Sequence, residues 1–159
     1  MRSYFDIDQL LADRLLETWR WLVPQKVTLR AVDAFGDLFL EDRGGTVHKL
    51  DVQAGRLSIV SANCSEFELL IQRAETRREW FYEEVAQALA KSGLVPGPGQ
   101  CLAYKIPVAL KEGSGKANSV YIADIYEYVG YLGDFHRQIL DVPDGGKVRL
   151  NVGPEPQEG

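Results

Sequence analysis

The stretch from residue 26 to residue 62 consists of short segments of alternating apolar and polar residues, separated by turns too short to hold a helix. In KVTLRAV, the apolar residues Val27, Leu29 and Ala31 alternate with polar neighbours, which is the period of a half-buried strand. GDLFLED and TVHKLDV follow, joined by a Gly-Gly pair typical of a tight hairpin, and RLSIVSA comes after the turn QAG. Because parallel strands need crossovers of about a dozen residues, we predict an N-terminal three-stranded antiparallel meander and exclude a doubly wound parallel sheet here.

Three further stretches have the spacing of helices. The first begins at a capping-box pair, Asp6 and Gln9, and ends before Pro24. The second, SEFELLIQRAETRREWFYEEVAQALAKSG, predicts two consecutive helices with a bend near Glu75, and the third is YEYVGYLGDFHRQIL. Their predicted apolar faces are Leu11, Leu15, Trp19 and Leu22; then Phe67, Leu70, Ile71, Phe81, Val85, Ala88 and Leu89; and finally Ile125, Val129, Leu132, His136 and Ile139.

CLAYKIPVAL and SVYIADI read as two more strands, and KVRLNV as a short final one. The order of elements predicts an α+β fold. Its sheet is expected to be antiparallel and twisted, made of the N-terminal meander plus the C-terminal strands. A length of 159 residues suits one hydrophobic core, so we expect a single domain over residues 1–152. The tail 153–159, GPEPQEG, lacks apolar anchors and is predicted to be disordered.

Acidic side chains outnumber basic ones, 23 against 18, which gives a net charge of −5. Such a chain is a poor ligand for nucleic acid or anionic membranes and a good one for a basic protein. No segment reaches the ~18 apolar residues of a membrane span, and the first residues do not resemble a signal peptide. We expect a cytoplasmic monomer or weak homodimer. Cys64 and Cys101 have no CxxC spacing and are predicted to be small buried hydrophobic residues.

The stretch LKEGSGKANSV, residues 110–120, looks like a phosphate-binding loop but fails its requirements. A P-loop needs a glycine where this chain has Leu110 and a Ser or Thr where it has Ala117. A strand rather than a helix follows. We therefore expect no nucleotide or other cofactor, and we predict that Lys111 to Ala117 form an exposed or poorly ordered connection between two strands.

Two histidines are the candidates for acid–base chemistry. His136 lies on the apolar face of its helix, so a partly buried, structural histidine is the first expectation there. His48 shares a strand face with Leu50 and Val52 close to the hairpin, where a surface or edge role is the first expectation. Neither belongs to a metal motif such as HExxH, and the sequence has no GxSxG elbow and no EF-hand spacing. We predict no catalytic or metal-binding residue. The acids in and around the meander are predicted to form a solvated face or a partner-binding patch: Asp33, Asp37, Glu41, Asp42 and Asp51.

Tyrosines beside acids in YIADIYEYVGYLGDF indicate a candidate protein-binding surface. Tyr128 and Tyr131 lie about one helical turn apart, off the stripe of Ile125, Val129 and Leu132, and are predicted to be exposed. The alternative is that these tyrosines cover the edge of the core. The residues predicted to contact a partner are Asp37, Glu41, Asp42, Tyr128, Tyr131 and Asp134.

AFGDLFLEDRGGTVHKLDVQAGRL resembles the segment FGD-hydrophobic, acidic turn, V-x-x-L-D-x-x-x-G of a bacterial domain family. That family is related to the immunity domain of type VI secretion DNase effectors and, more distantly, to the SUKH superfamily of toxin-immunity proteins. The resemblance covers about residues 27–151, although Lys111 and Glu112 stand where the family has a Gly-Gly pair. In the C-terminal half the matching positions are Tyr104, Pro107, Leu110, Asn118, Gly133, His136, Gln138, Pro143, Gly145 and Lys147.

The resemblance implies a bent antiparallel sheet with helices on one side, and a protein that neutralises a toxin by binding it. It transfers no catalytic residue. Our leading hypothesis is a non-enzymatic immunity protein, or a relative of one, that covers a cognate toxin with an acidic, tyrosine-bearing surface. The second hypothesis is a small-molecule or peptide sensor, which requires a deep apolar pocket with convergent polar groups. The third is a hydrolase, which requires a carboxylate within hydrogen-bond reach of an accessible His48 or His136.

Overall fold

The computed structural model describes residues 7, 9–110, 113, 119–150 and 153–157. This part of the chain has the predicted α+β architecture, with a four-stranded antiparallel sheet in the order β1-β2-β3-β4 and a two-stranded antiparallel sheet of β5 and β6. The strands are β1 (Thr28–Val32), β2 (Leu38–Glu41), β3 (Val47–Asp51), β4 (Arg56–Ser61), β5 (Gln100–Tyr104) and β6 (Val120–Asp124).

The N-terminal meander has four strands where three were predicted, and the C-terminal strands form a sheet of their own. RLSIVSA becomes the fourth strand because a tight turn returns the chain against β3. In that turn Gly55 N donates to the carbonyl of Asp51, whose carboxylate accepts two backbone N–H groups inside the turn. A 2.7 Å hydrogen bond from Leu102 N to the carbonyl of Ala34 links the second sheet to the β1–β2 turn.

The helices are α1 (Ala12–Leu15), a 3-10 helix (Glu17–Trp19), α2 (Cys64–Leu70), α3 (Ala74–Phe81), α4 (Glu83–Lys91) and α5 (Ile125–Ile139). The first segment is thus shorter and more broken than predicted, and the region 65–93 holds three helices rather than two. Helix α2 is capped by Asn63, whose side chain accepts Glu66 N at 2.8 Å, while the Glu66 carboxylate accepts the N–H of Ala62. This cap lies two residues before the capping box predicted at Ser65.

Tyr82 separates α3 from α4. Its backbone has φ +51°, a left-handed conformation that is uncommon for a residue with a large side chain. The break falls after the bend predicted near Glu75, and it changes which side of α4 faces inward. Ala86 is buried, whereas Val85, predicted to lie on the apolar face, is 48% exposed.

Strand β2 is buried on both faces, so helices cover both sides of the four-stranded sheet rather than mainly one. Leu38 and Leu40 belong to the main core, which they share with residues of α5. Phe39 points to the opposite face, where its ring centroid lies 5.5 Å from that of Phe67 in α2 and 5.0 Å from that of Phe81 in α3. The prediction of one covered side is therefore wrong.

Helix α5 is the centre of the main core, and the N-terminal segment packs against it. The indole Nε1 of Trp19 donates to the carbonyl of Val129 at 2.8 Å, and that of Trp21 donates to the carbonyl of Gly133 at 3.2 Å. The predicted apolar stripe of this helix is confirmed, since four of its residues are buried: Ile125, Val129, Leu132 and His136.

The C-terminal residues pack against β6 over the part described. The hydroxyl of Tyr121 donates to the carbonyl of Pro154 at 2.9 Å, and Gln157 N donates to the carbonyl of Ile122 at 2.7 Å. Residues 147–150 form no strand, so the final strand predicted for KVRLNV is wrong for these positions.

The connection between β5 and β6 has a strand on each side, as predicted, and the two strands pair with each other. The predicted exposure of Lys111 to Ala117 lies outside the described residues, apart from Gly113, which is buried. Over the described ranges, every helix is too short or too polar to span a bilayer.

Candidate functional site

The turn between β1 and β2 is built around Asp33. Its Oδ1 accepts hydrogen bonds from Phe35 N at 2.9 Å and from Asp37 N at 3.0 Å, and its own N–H donates to the carbonyl of Asp37. Gly36 has φ +90°, which a residue with a Cβ rarely adopts. The sequence DAFGD therefore folds locally, and it places the carboxylates of Asp33 and Asp37 in the interior, where both residues are 0% exposed.

Asp37 is held from two sides. Its Oδ1 accepts Val52 N at 2.9 Å, and its Oδ2 lies 3.6 Å from Nζ of Lys49 on β3. In the described part of the chain, the Oδ2 atoms of Asp33 and Asp37 have no hydrogen-bond donor. A proton held by one carboxyl group would supply the donor that these oxygens lack.

Burial raises the pKa of both carboxyl groups. It raises the pKa of Asp37 to about 6, because burial and the charge of Asp51 outweigh the attraction of Lys49. The pKa of Asp33 is raised well above its ordinary value by burial and then by the charge of Asp37. The proton of the pair therefore resides on Asp33 while the Asp37 carboxylate faces the ammonium of Lys49.

Lys49 connects this carboxyl pair to the junction between α3 and α4. Its Nζ donates to the carbonyl of Trp80 at 3.1 Å and to the hydroxyl of Tyr82 at 3.4 Å, and it lies 4.7 Å from the centroid of the Tyr82 ring. Desolvation alone lowers the pKa of this ammonium, but the attraction of the Asp37 carboxylate, with smaller effects of Tyr82 and Asp33, outweighs desolvation and the pKa is raised. Lys49 thus stays charged and fixes the position of Tyr82.

A partly open pocket of about 180 Å³ lies beside this buried cluster. The ring of Phe35 meets that of Tyr82 edge-on, with centroids 5.9 Å apart, and stacks on that of Tyr104 at 5.6 Å. Gln53 supplies an amide whose Nε2 donates to the carbonyl of Phe35 at 3.3 Å and whose Oε1 accepts the hydroxyl of Tyr128 at 3.1 Å. The lining residues are Phe35, Gln53, Tyr82, Val85, Tyr104 and Val108.

His48 and Asp42 come together at the β2–β3 hairpin. Nε2 of His48 lies 2.9 Å from Oδ2 of Asp42, and this bond is the main reason that the pKa of Asp42 is lowered. Oδ1 of Asp42 accepts the N–H groups of Gly44 and Thr46, so the same carboxylate closes the turn. The pair has the carboxylate that the hydrolase hypothesis requires. Among the described residues, however, the imidazole bonds to no other group, so the pair includes no nucleophile.

His136 is buried on α5, as its position on the apolar stripe predicts. Its Nε2 lies 3.0 Å from the carbonyl of Val52 and 3.1 Å from that of Gln53, so this nitrogen carries the proton of a neutral ring. Burial lowers the pKa of the imidazole, which favours the neutral form. The ring sits so close to Gly55 that a Cβ there would stand 2.5 Å from Nδ1. His136 therefore joins α5 to the turn that follows β3.

Two of the residues predicted to contact a partner are buried, which corrects their predicted exposure. Asp37 is 0% exposed and belongs to the cluster with Lys49. Tyr128 is 1% exposed, and its hydroxyl accepts Tyr104 N at 3.1 Å while donating to Gln53. Both side chains are occupied inside the molecule and cannot contact a partner in this conformation.

The outer face of α5 carries two others of the predicted residues. Glu127, Tyr131 and Asp134 follow one another at spacings of four and three residues, which places them on one side of the helix. Tyr131 is half-buried, whereas Glu127 and Asp134 are exposed and form no ion pair with any described residue. Glu41 and Asp42 lie on the β2–β3 hairpin instead, already paired with an arginine and a histidine of their own sheet.

The described residues contain no group of three or more His, Cys, Asp or Glu side chains placed to hold a metal ion. Both cysteines are free; Cys101 is buried, as predicted, and Cys64 is half-buried. The polar chemistry of the interior therefore centres on Asp33, Asp37 and Lys49, and the sequence did not indicate that the last of these is buried.

A scan against models of known protein families finds no match to this chain, and a search of curated proteins finds none either. The resemblance to the toxin-immunity family therefore rests on the sequence motifs alone and stays a prediction.

Proposed function

We propose that the protein binds another protein, and that its role is to neutralise a basic bacterial toxin by covering it. The observation that carries this proposal is the outer face of α5, where Glu127 and Asp134 flank Tyr131. An aromatic side chain at the surface between two exposed acids is typical of protein-binding surfaces, in which aromatic anchors supply most of the affinity.

The net charge of −5 favours the same class of partner. A basic nuclease toxin would be drawn toward an acidic surface over a distance of about one Debye length, which raises the association rate more than the final affinity. The sequence motifs that resemble a toxin-immunity family point in the same direction. Such a protein works in the cytoplasm of the cell that it protects, as a monomer or weak homodimer, and needs no catalytic group.

The experiment measures association with a basic toxin encoded beside this chain's own gene, at several salt concentrations. The double variant Glu127→Lys/Asp134→Lys should lower the association rate by roughly tenfold or more at low salt. Its matched control, Glu75→Lys/Glu79→Lys, makes the same change of charge at two exposed acids of α3. The control should have a several-fold smaller effect, and the wild-type rate should fall as salt rises.

Two results would contradict the proposal at different levels. Equal effects of the two double variants would mean that the interface does not lie on α5. A chain that neither binds such a toxin nor protects cells that produce it would not be an immunity protein.

A further inference from the structure

We propose that the pocket bounded by Phe35, Tyr82 and Tyr104 binds a small, uncharged aromatic molecule with a single ring. The pocket uses different residues from the outer face of α5. It would hold such a molecule whether or not that face binds a protein.

The size of the pocket limits the ligand. Its volume of about 180 Å³ is below the roughly 300–1,000 Å³ of pockets that hold drug-sized ligands or cofactors. It exceeds the roughly 150 Å³ of an apolar cavity that is known to take up benzene. One ring therefore fits, and a nucleotide or a fused polycyclic cofactor does not.

The aromatic walls offer a ring both of its preferred contacts. The plane of Phe35 stands at 88° to that of Tyr82 and at 14° to that of Tyr104. A ligand ring can therefore meet one wall edge-on and another face-on, the two arrangements that aromatic pairs favour. Val85 and Val108 complete the lining with aliphatic surface.

The charged groups near the walls disfavour ligands of either charge. The ammonium of Lys49 already lies 4.7 Å from the centroid of the Tyr82 ring, so a second cation there would be repelled. The Asp37 carboxylate acts on Tyr104, whose pKa is raised by burial and then by this charge, so an anion is disfavoured as well. A neutral ring avoids both penalties.

The fold fixes the walls before a ligand arrives. Tyr82 keeps its left-handed backbone while its hydroxyl accepts a bond from Lys49, and strained residues of this kind persist only where their surroundings hold them. Gln53 is fixed at both ends of its amide, by the carbonyl of Phe35 and the hydroxyl of Tyr128. The pocket is therefore pre-formed, which lowers the entropy lost on binding.

The test is a titration of the whole chain with p-fluorophenol, followed by fluorine NMR of the ligand and by amide chemical shifts of the protein. Saturable shifts centred on Phe35, Tyr82 and Tyr104 are expected. Benzoate and benzylammonium carry a ring of the same size with a negative or positive charge. Each should bind at least roughly tenfold more weakly, because its charge must be desolvated in an apolar site.

Val85→Trp and Val95→Trp form a matched pair of variants. The two valines are 48% and 51% exposed, so neither change disturbs the core, but only Val85 lines the pocket. Val85→Trp should weaken the binding of p-fluorophenol by at least roughly tenfold and Val95→Trp by less than about twofold.

Three results would overturn the proposal: shifts that do not saturate, equal binding of the neutral and charged rings, or equal loss in the two tryptophan variants. The proposal would also be overturned if the chain did not bind free p-fluorophenol but bound a peptide through an aromatic side chain at Phe35, Tyr82 and Tyr104. That result would assign the pocket to a protein partner.

Discussion

The carboxylate of Asp37 lies 3.6 Å from the ammonium of Lys49, and the two side chains are 0% and 10% exposed. A buried ion pair adds little net stability compared with apolar side chains of the same volume, because both charges must leave water. Removing one partner is different, since the other charge then remains buried without compensation. The stability of this chain therefore depends on keeping the pair whole.

Lys49→Met is expected to lower the free energy of unfolding by roughly 3 kcal/mol or more, measured by urea denaturation near neutral pH. The control is Lys105→Met, at an exposed lysine, which should change it by less than about 0.5 kcal/mol. The double variant Lys49→Met/Asp37→Asn should recover part of the loss, because it leaves no buried charge. A single variant as stable as the wild type would mean that Asp37 is not ionised in the folded chain.

Asp33→Asn tests the proton shared by the two carboxyl groups. Asparagine keeps an oxygen for the N–H groups of Phe35 and Asp37, and its amide replaces the proton as donor to the Asp37 carboxylate. The folded-state pKa values of Asp33 and Asp37 are raised, so the folded chain holds protons that the unfolded chain has released above pH ~4. The contribution of this pair to stability is therefore largest at low pH and falls as the pH rises through about 6.

The variant lacks one of these protons, so it should lose less stability than the wild type as the pH rises. The free energy of unfolding of the variant minus that of the wild type should therefore increase by roughly 1 kcal/mol or more between pH ~5 and pH ~8. Comparing the two proteins cancels the opposite trend of His136, whose lowered pKa makes the fold lose stability as the pH falls. Asp141→Asn, at an exposed acid, is the control and should show no such trend. A difference that stays constant with pH would show that no proton is shared.

Gly55→Ala should destabilise the fold more than Gly45→Ala. Both glycines have a positive φ, +67° and +90°, so both changes carry the cost of a left-handed alanine. A Cβ at position 55 would also stand 2.5 Å from Nδ1 of His136, while one at position 45 would meet nothing within 4 Å. The extra loss is expected to be roughly 2 kcal/mol by thermal or urea unfolding. Equal losses would mean that the His136 ring moves aside at no cost.

Asn63→Ala should lower the free energy of unfolding by about 1 kcal/mol, because it removes the acceptor of the Glu66 N–H in the first turn of α2. Ser65→Ala, at the position that the sequence pattern indicates as the cap, should have almost no effect. Chemical denaturation of both variants decides between the two assignments, and a larger loss at Ser65 would place the start of the helix there.

The meander was predictable because its signals are local: alternation within each strand and a turn between strands. The covering of both faces was not predicted, although β2 carries a signal for it in three successive apolar residues, Leu38 to Leu40. Such a run is typical of a strand buried on both sides. Because the acids of the meander were expected on a solvated face or a partner-binding patch, no buried partner was predicted for Asp37, and its ion pair with Lys49 was missed.

The tyrosines of α5 show that helical spacing alone does not predict how much of a helix surface is buried. The stripe at Ile125, Val129 and Leu132 predicts the direction of the core correctly, but not the width of the buried arc. That width depends on the tertiary contacts of the helix, and Tyr128 is buried because β5 and Gln53 supply partners for its hydroxyl. Asp37 is a similar case. Nothing near it in sequence distinguishes it from an exposed acid until Lys49 and Val52 are brought beside it.

The indole bond from Trp19 to Val129 joins residues 110 positions apart in the chain, and the bond from Thr18 to Gly130 spans 112. At ribosomal speeds of about 5–20 residues per second, the N-terminal segment waits for roughly 5 to 20 seconds before α5 has been synthesised. During that interval Leu15, Leu16 and Trp19 have no core to enter and remain available to chaperones and to neighbouring chains. Aggregation is therefore a greater risk for the growing chain, during synthesis, than for the folded chain at equilibrium.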